Sequence, residues 1–238
     1  APGVGGDRGD LRVVQPPGAG EREPGRGAPC VLAPAGAAGA GVLSNQGTIV
    51  NRATITGGTS GMTIGQGRTG GAGVQAWGGS IQNLAGATIT GGYGSMLYGA
   101  PASGVAGTGG AGILFNSGQP ASLFNAGTIQ AGAGGTPILG QGTHGDGGVG
   151  VYGAASGNTS IVNAGTIAGG LKGDGLTRAR AIVLSGSNNR LELWQGSTLL
   201  GGVQVASGGA NNTLALGGSL NGTFDLSQMG PSQAYRGF

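Results

Sequence analysis

The residues that could carry acid–base or nucleophilic chemistry are few in this chain of 238 residues. The one histidine is His144, and the carboxylates beyond residue 30 are Asp146, Asp174, Glu192 and Asp225. A Ser-His-Asp triad would need His144, one of these acids and a serine on a strained turn, but the sequence has no Gly-x-Ser-x-Gly segment. His144 lies in the Gly-rich stretch 142–147, where a solvated loop histidine is the expected interpretation.

The sequence offers equally few residues for other kinds of catalytic or ligand-binding site. Glycoside cleavage needs two carboxylates roughly 5–9 Å apart, whereas the four acids fall in different parts of the chain. Residues 169–177 resemble the nonapeptide of calcium β-rolls, but Lys172 replaces the third glycine and no second copy occurs. No Gly-x-x-x-x-Gly-Lys-Ser/Thr phosphate loop is present. We therefore predict a protein that is not an enzyme and has no catalytic residues, no metal ligands and no cofactor.

One recognition motif occurs near the start of the chain. Arg8, Gly9 and Asp10 form the tripeptide that integrins bind when a loop displays it. This makes them a candidate binding site, with an ordinary solvated tail as the alternative.

The composition narrows the class of protein. Glycine contributes 61 residues, charged residues are 8% and the net charge is +3. Glycine does not recur at every third position, which excludes collagen, and the absence of basic clusters argues against a nucleic-acid partner. The single cysteine, Cys30, can form no internal disulfide.

The elements that must position any functional residue are repeated short strands. Residues 160–170 read Ser-Ile-Val-Asn-Ala-Gly-Thr-Ile-Ala-Gly-Gly, and close copies lie around residues 43–49, 81–92 and 123–129. Alignment on the Thr-Ile pair sets the anchors at Ile49, Ile55, Ile89, Ile129, Ile167 and Leu199. A further strand signal of the Gly-Val-x-Val type precedes each long repeat.

Three short strands per repeat are typical of one coil of a parallel β-helix, in which strands stack at about 4.8 Å. The sequence therefore predicts an all-β, right-handed parallel β-helix, a solenoid with long Gly-rich loops. Asparagine recurs at one point of the coil, where it tolerates a left-handed corner and its amide can bond along the stack. The predicted ladder is Asn45, Asn83, Asn125 and Asn163.

The chain divides into three stretches. Residues 1–41 are an irregular lead-in rich in Pro, Gly and Arg, and residues 42–180 form coils with long loops. Residues 181–238 form tighter coils of about 21–23 residues. We expect these coils to continue beyond residue 238, because a solenoid needs a terminal cap.

These motifs resemble the passenger domains of bacterial type V autotransporters of the pertactin-like adhesin group. The features are the Asn-x-Gly-Thr-Ile-x-x-Gly units, the segment Ala-Ile-x-Leu-x-Gly-x-x-Asn-x-Leu-x-Leu from Ala181, the segment Asn-Asn-Thr-Leu-x-Leu-Gly-Gly from Asn211 and the closing Tyr-x-Gly-Phe. The resemblance covers about residues 42–238. It implies export from a Gram-negative cell and a C-terminal translocator barrel in the full-length protein, of which this chain would be a fragment without that barrel.

The function that the resemblance implies is non-enzymatic adhesion and virulence at the bacterial cell surface or outer membrane, or in secreted form after cleavage. The expected partners are host cell-surface or matrix proteins or glycans, with self-association as a further candidate. The loops after Gly58, Gly92 and Gly132 would make the contacts, and their candidate anchors are Trp77, Tyr93, Tyr98 and Tyr152. Packing of these aromatic residues within the loops is the alternative.

One alternative function remains, and a second is discounted. The chain could be a stalk that presents a protease or esterase domain located outside it. A flat ice-binding solenoid would need regular Thr-x-Thr ranks, but only scattered pairs such as Thr54/Thr56 and Thr88/Thr90 are visible.

Overall fold

The structure is a computed structural model that describes residues 38–99, 103–116, 119–139, 142–153, 155–206 and 208–238. All of them belong to one compact unit, Pro34–Phe238. Every paired strand in the four sheets is parallel to its neighbours. The predicted parallel β-helix is therefore confirmed.

Three sheets form the walls of the solenoid. Sheet A contains β1 Val42–Ser44, β4 Val74–Ala76, β8 Ile113–Phe115, β12 Val151–Tyr152, β15 Ile182–Leu184, β18 Val203–Val205 and β20 Tyr235–Arg236. Sheet B contains β2 Thr48–Asn51, β5 Gly79–Asn83, β9 Ala121–Asn125, β13 Thr159–Asn163, β16 Arg190–Trp194 and β19 Thr213–Gly217. Sheet C contains β3 Thr54–Thr56, β6 Thr88–Thr90, β10 Thr128–Gln130, β14 Thr166–Ala168 and β17 Thr198–Leu200.

Two smaller elements complete the fold. A two-stranded sheet D pairs β7 Leu97–Tyr98 with β11 Pro137–Ile138, and a short 3-10 helix spans Leu226–Gln228. Successive coils run through sheets A, B and C in that order. The sheets continue across residue 180, since β12 pairs with β15.

The interior is filled by aligned rows of aliphatic side chains. In sheet C the row is Ile55, Ile89, Ile129, Ile167 and Leu199. Because side chains alternate across a strand, one residue of each Thr-Ile-x triplet points inward and its two neighbours point outward. Ile89, Ile129 and Ile167 are fully buried.

A second kind of row runs through sheet B and consists of asparagine. Asn51, Asn83, Asn125 and Asn163 lie in register, and each amide Nδ2 of the first three donates to the Oδ1 of the next at 2.8 Å. The same nitrogens reach the carbonyls of Thr88, Thr128 and Thr166. The row ends where Leu193 takes the equivalent position in β16.

The predicted positions of Asn45 and Ile49 were wrong. Asn45 is exposed after β1, and Asn51 is the first member of the ladder, while Ile49 aligns with Ile81 in sheet B. The first coil carries Thr-Ile twice, once in sheet B and once in sheet C, whereas the later coils carry it only in sheet C. Alignment on that pair therefore chose the wrong copy.

The ladder asparagines are also not the left-handed corner residues. Positive φ occurs instead at Asn158, Asn188 and Asn211, each just before a strand of sheet B. Asparagine thus has two separate structural roles here: an extended, buried ladder position and an αL corner position.

Replacement of Asn125 by Ala should destabilise the solenoid. The change leaves Asn163 Oδ1 without its amide donor, removes the acceptor of Asn83 Nδ2 and opens a small cavity, so we expect a loss of about 2–4 kcal/mol in the free energy of unfolding. Urea unfolding followed by circular dichroism measures it. The control is Asn45→Ala, expected within about 0.5 kcal/mol of wild type; equal effects of the two variants would contradict the ladder.

Candidate functional site

The residues that could do chemistry are not assembled for it. His144 Nδ1 is buried and has no hydrogen-bond partner in the described structure, whereas a triad histidine needs its Nδ1–H oriented by a carboxylate. Within the described ranges no group of three His, Cys, Asp or Glu side chains lies close enough to hold a metal ion. Arg8, Gly9 and Asp10 lie outside the described residues.

Each acid has a local structural role instead. Asp225 caps the 3-10 helix by accepting from Ser227 N at 2.9 Å. Asp174 accepts from Leu176 N at 2.9 Å, and this bond is the main cause that lowers the pKa of its carboxyl. Asp146 forms an exposed pair with Lys172 at 3.5 Å. Residues 169–177, the stretch that resembles a calcium nonapeptide, close into a tight turn in which Leu171 bridges to Arg178.

Glu192 is the best-bonded carboxylate. It accepts from Trp194 Nε1 at 2.8 Å and from Arg190 at 2.7 Å. These two bonds lower the pKa of the Glu192 carboxyl from its ordinary value of 4.5, and the bond from Trp194 has the larger effect. The arrangement lies on the outer face of sheet B, where Trp194 meets the edge of Phe124 at 5.6 Å between ring centroids. These contacts stabilise the outer surface of sheet B, and the cluster contains no free nucleophile or base.

The long Gly-rich stretches are the unexpected part of the structure. We name residues 57–64, 91–98, 131–138 and 169–173 the outgoing segments, because each leaves sheet C. Residues 67–73, 105–112 and 143–150 are the returning segments, because each leads into sheet A. The stretches after Gly58, Gly92 and Gly132 were predicted to be loops, but these segments are extended and bonded to one another, and about half of their residues are buried.

Backbone hydrogen bonds join the segments with a period of three residues. In the second coil Gly94 N and Leu97 N bond the next outgoing segment, while Gly92 N and Ser95 N bond a returning segment. Burial follows the same period, so that Tyr93 is exposed between buried neighbours. Three residues per turn is the repeat of the polyproline II helix, which has no internal hydrogen bonds and must find partners outside.

A continuous chain of backbone hydrogen bonds passes alternately through outgoing and returning segments. Its N–H to O=C distances are all 2.8–2.9 Å. Its members are Gly39, Gly58, Gly71, Gly92, Gly110, Gly132, Gly148 and Gly170. We call the outgoing and returning segments, as joined by these bonds, the glycine stack.

Glycine is required in the stack because a side chain would not fit, and not because the backbone has a left-handed φ. A Cβ added to Gly92 would overlap the Gly58 carbonyl oxygen, and one added to Gly132 would overlap that of Gly92. Neither residue has a left-handed φ. The segments can approach closely enough to hydrogen-bond only because no side chain stands between them.

The stack presents exposed side chains on an outgoing and a returning face, while Ser60, Thr63, Ser95 and Leu97 are buried within it. The outgoing face carries Met62, Tyr93 and Met96, which are 37%, 59% and 49% exposed. The returning face carries Thr69, Val105 and Thr108, all exposed. A small buried contact between Leu97 and Ala106 closes the stack near its tip.

The four aromatic candidates do not form one patch. Tyr93 and Tyr98 lie on the same outgoing segment and are exposed. Tyr152 lies on the outer face of sheet A, and Trp77 is half-buried just after β4. Met62 and Met96 were not predicted as exposed candidates. Met62 follows Thr59 by three residues and Met96 follows Tyr93 by three, and this spacing could have identified them.

Threonine forms an outer row on sheet C, as the alignment on the Thr-Ile pair implies. Thr54, Thr88, Thr128, Thr166 and Thr198 align on sheet C. The neighbouring row changes from Thr56 and Thr90 to Gln130, Ala168 and Leu200 in the same registers. Regular Thr-x-Thr ranks therefore extend over two coils only.

A cavity of about 810 Å³ lies beside the last member of the interior row of sheet C. Its lining includes Leu199, Leu216 and Phe224, and the ring of Phe224 meets that of Tyr235 edge-on at 5.1 Å. The rest of the lining includes the polar residues Gln195, Asn221 and Thr223, and it presents no titratable pair.

No family model, curated protein or solved structure matches the chain. Among the described residues no helix is long and apolar enough to cross a membrane.

Replacement of Gly92 by Ala should disrupt the stack. Because the new methyl group meets backbone atoms that cannot rotate away, we expect a loss of about 3 kcal/mol, or about 6–12 °C in melting temperature. Gly222→Ala is the matched control, since its nearest neighbour atom would lie at 3.6 Å and its φ is not left-handed. It should stay within about 1 kcal/mol of wild type; an unchanged Gly92→Ala melt would contradict the packing.

The Glu192 bonds predict a pH-dependent contribution to stability. A lowered folded-state pKa stabilises the protein above the unfolded value of 4.5, and the contribution is lost as pH falls through the folded value. Glu192→Gln should therefore have a free energy of unfolding about 0.5–1 kcal/mol lower than wild type at pH 7, and the difference should shrink as the pH falls below 4.5.

The control for this experiment is Asp146→Asn. The Asp146 side chain is 77% exposed against 18% for Glu192, so its loss should be small at every pH. A Glu192→Gln difference that persists at pH 3 would show that the carboxylate charge is not the cause.

Proposed function

We propose that the chain is a non-enzymatic adhesion scaffold that binds a surface through the outgoing face of its glycine stack. The observation that carries the proposal is the exposed row of Met62, Tyr93 and Met96 on a backbone whose adjoining residues are largely buried. Contiguous exposed apolar side chains are typical of interaction sites. Tyrosine and methionine are both enriched at protein interfaces.

The geometry suits adhesion because the face is already ordered. Each exposed side chain of this row stands on a segment that is hydrogen-bonded to its neighbours, so less conformational entropy is lost on binding than for a free loop. Successive coils repeat the positions, which favours a partner that is itself extended, such as a matrix protein or a glycan chain. Several weak contacts in a row would then add through multivalency.

The charge distribution points the same way. The row of Met62, Tyr93 and Met96 contains no charged residue, and the charged residue of the outgoing segments, Lys172, belongs to the fourth coil. Recognition would therefore depend on apolar and hydroxyl contacts rather than on electrostatic steering. An uncharged glycan or protein surface fits this face better than nucleic acid does.

The resemblance to autotransporter passengers supplies the cellular setting of the proposal. In that setting the chain would be displayed at the outer surface of a Gram-negative cell or released from it. The dispersed, locally bonded acids and the unoriented His144 support a role without catalysis.

The test is an adhesion assay with the whole purified chain on host-cell monolayers and matrix-coated plates. Tyr93→Ser combined with Met96→Ser should lower binding at least about tenfold, as loss of an aromatic anchor at the centre of an interface does. The control is Leu176→Ser, which removes an apolar side chain that is 86% exposed but lies off this row.

Two results would refute the proposal. One is equal binding by wild type and the double variant on every surface that wild type binds. The other is that the folded chain binds no better than a heat-denatured sample. Circular dichroism of both variants must match wild type for the comparison to count.

A further inference from the structure

A groove of about 580 Å³ lies on the other side of the stack, between the returning face and the outer surface of sheet A. Its floor is the row Gln75, Leu114 and Tyr152, which the strand register aligns across three coils. Its wall is formed by the returning segments. The groove is separate from the row of Met62, Tyr93 and Met96, so a ligand bound in the groove would be independent of adhesion through that row.

The wall carries backbone donors without partners. The residues concerned are Thr69, Ala72, Thr108, Ala111 and Val149, all of which line the groove. The carbonyls of the last four accept the bonds that join successive returning segments, but within the described part of the chain the N–H groups of all five make no hydrogen bond. The N–H groups of Ala38, Ala40 and Gly147 are likewise unpaired among the described residues of the lining, which makes eight donors. Against them stand five unpaired carbonyls, those of Ala38, Ala40, Gly70, Gly109 and Gly147.

These donors continue the interface that builds the stack. In the returning segments 67–73 and 105–112 one N–H in three bonds the adjacent coil, one bonds the facing outgoing segment and the third bonds neither. A further extended segment laid along the wall would meet donors three residues apart, as Thr108 and Ala111 are. That interval is one turn of a polyproline II helix, about 9 Å, whereas a β-strand repeats after two residues or about 6.6 Å.

We propose that this groove binds a proline-rich peptide segment in the polyproline II conformation. Such a segment has the matching three-residue repeat, presents its carbonyls outward and lacks N–H groups at proline, so it complements a wall with an excess of donors. Its rings would pack on Leu114 and Tyr152, since proline-rich segments dock in aromatic-lined grooves.

The occupant is a peptide rather than a glycan because of the groups that the groove offers. A sugar ring presents hydroxyl groups that both donate and accept around its edge, whereas most of the unpaired backbone groups here are donors. The floor holds a single aromatic ring, Tyr152, beside an aliphatic side chain, Leu114. The repeat of the donors follows a polypeptide period.

Proline substitution in the wall gives a sharp test. Thr108→Pro removes one unpaired N–H from the groove and fits the backbone geometry of the segment, while the Thr108 carbonyl still accepts from Gly70 N. Ala133→Pro makes the same change on the outgoing face, where the Ala133 N–H is likewise unpaired among the described residues and its carbonyl accepts from Gly94 N. A Tyr152→Ala variant removes the aromatic floor.

The experiment measures fluorescence polarisation of a labelled decaproline peptide with the whole chain and each variant, after matched thermal melts. Saturable binding is expected for wild type and Ala133→Pro. Loss of one hydrogen bond should weaken binding about threefold to tenfold in Thr108→Pro, and Tyr152→Ala should weaken it at least as much. A labelled Gly-Ser decamer should bind at least about tenfold more weakly.

Three outcomes would overturn the inference. The first is no saturable binding of decaproline to wild type, and the second is equal affinity of Thr108→Pro and wild type. The third is that unlabelled decaproline displaces no bound labelled peptide, while a soluble oligosaccharide binds and its binding requires Tyr152. That result would assign the groove to glycans. If Thr108→Pro melts early, Leu114→Ser takes its place as the groove variant with the same expectation.

Discussion

The structure depends on how closely two backbones can approach without a side chain between them. In the three walls of the solenoid, strands stay at the ordinary spacing of about 4.8 Å and side chains point to either face. In the glycine stack the segments have neighbours on several sides at once, and a Cβ at Gly92 or Gly132 would overlap a carbonyl. The high glycine content is therefore a packing requirement, and the β-helix supplies the fixed register that brings the segments together.

The two halves of each coil stabilise one another through that register. The outgoing segments begin where the strands of sheet C end, and the returning segments end where the strands of sheet A begin. A slip of one residue in a strand would therefore misplace every hydrogen bond of the adjoining segment. The asparagine ladder limits such a slip, because Asn83 and Asn125 bond only if the strands of sheet B are aligned. Contacts in the fold are mostly between neighbouring coils, as in other solenoids, so stability is expected to accumulate coil by coil.

The sequence predicted the walls of the fold well because their signal is local. Alternation around Ile89, Ile129 and Ile167 identifies strands, and the coil length equals the distance between them. Asn45 and Ile49 were misplaced because the first coil repeats Thr-Ile at two corners. The glycine stack could not be predicted from the same signals: its glycines have the composition of a loop, and the three-residue period appears only when hydrogen bonds between coils are known.

The same limit applies to the functional surfaces. Tyr93 and Tyr98 were identifiable as exposed aromatics in a Gly-rich stretch, but the row that joins Tyr93 to Met62 and Met96 exists only through the register of the stack. A loop that is free to move would present its side chains one at a time and would lose entropy on binding. Here glycine takes most inward positions, with Ser60, Thr63, Ser95 and Leu97 as exceptions, which leaves the outward positions free to vary without cost to the packing. A scaffold of this kind can change its partner by changing exposed residues such as Tyr93 or Met96 while its interior stays the same, because the interior contacts are made by backbone atoms that all sequences share.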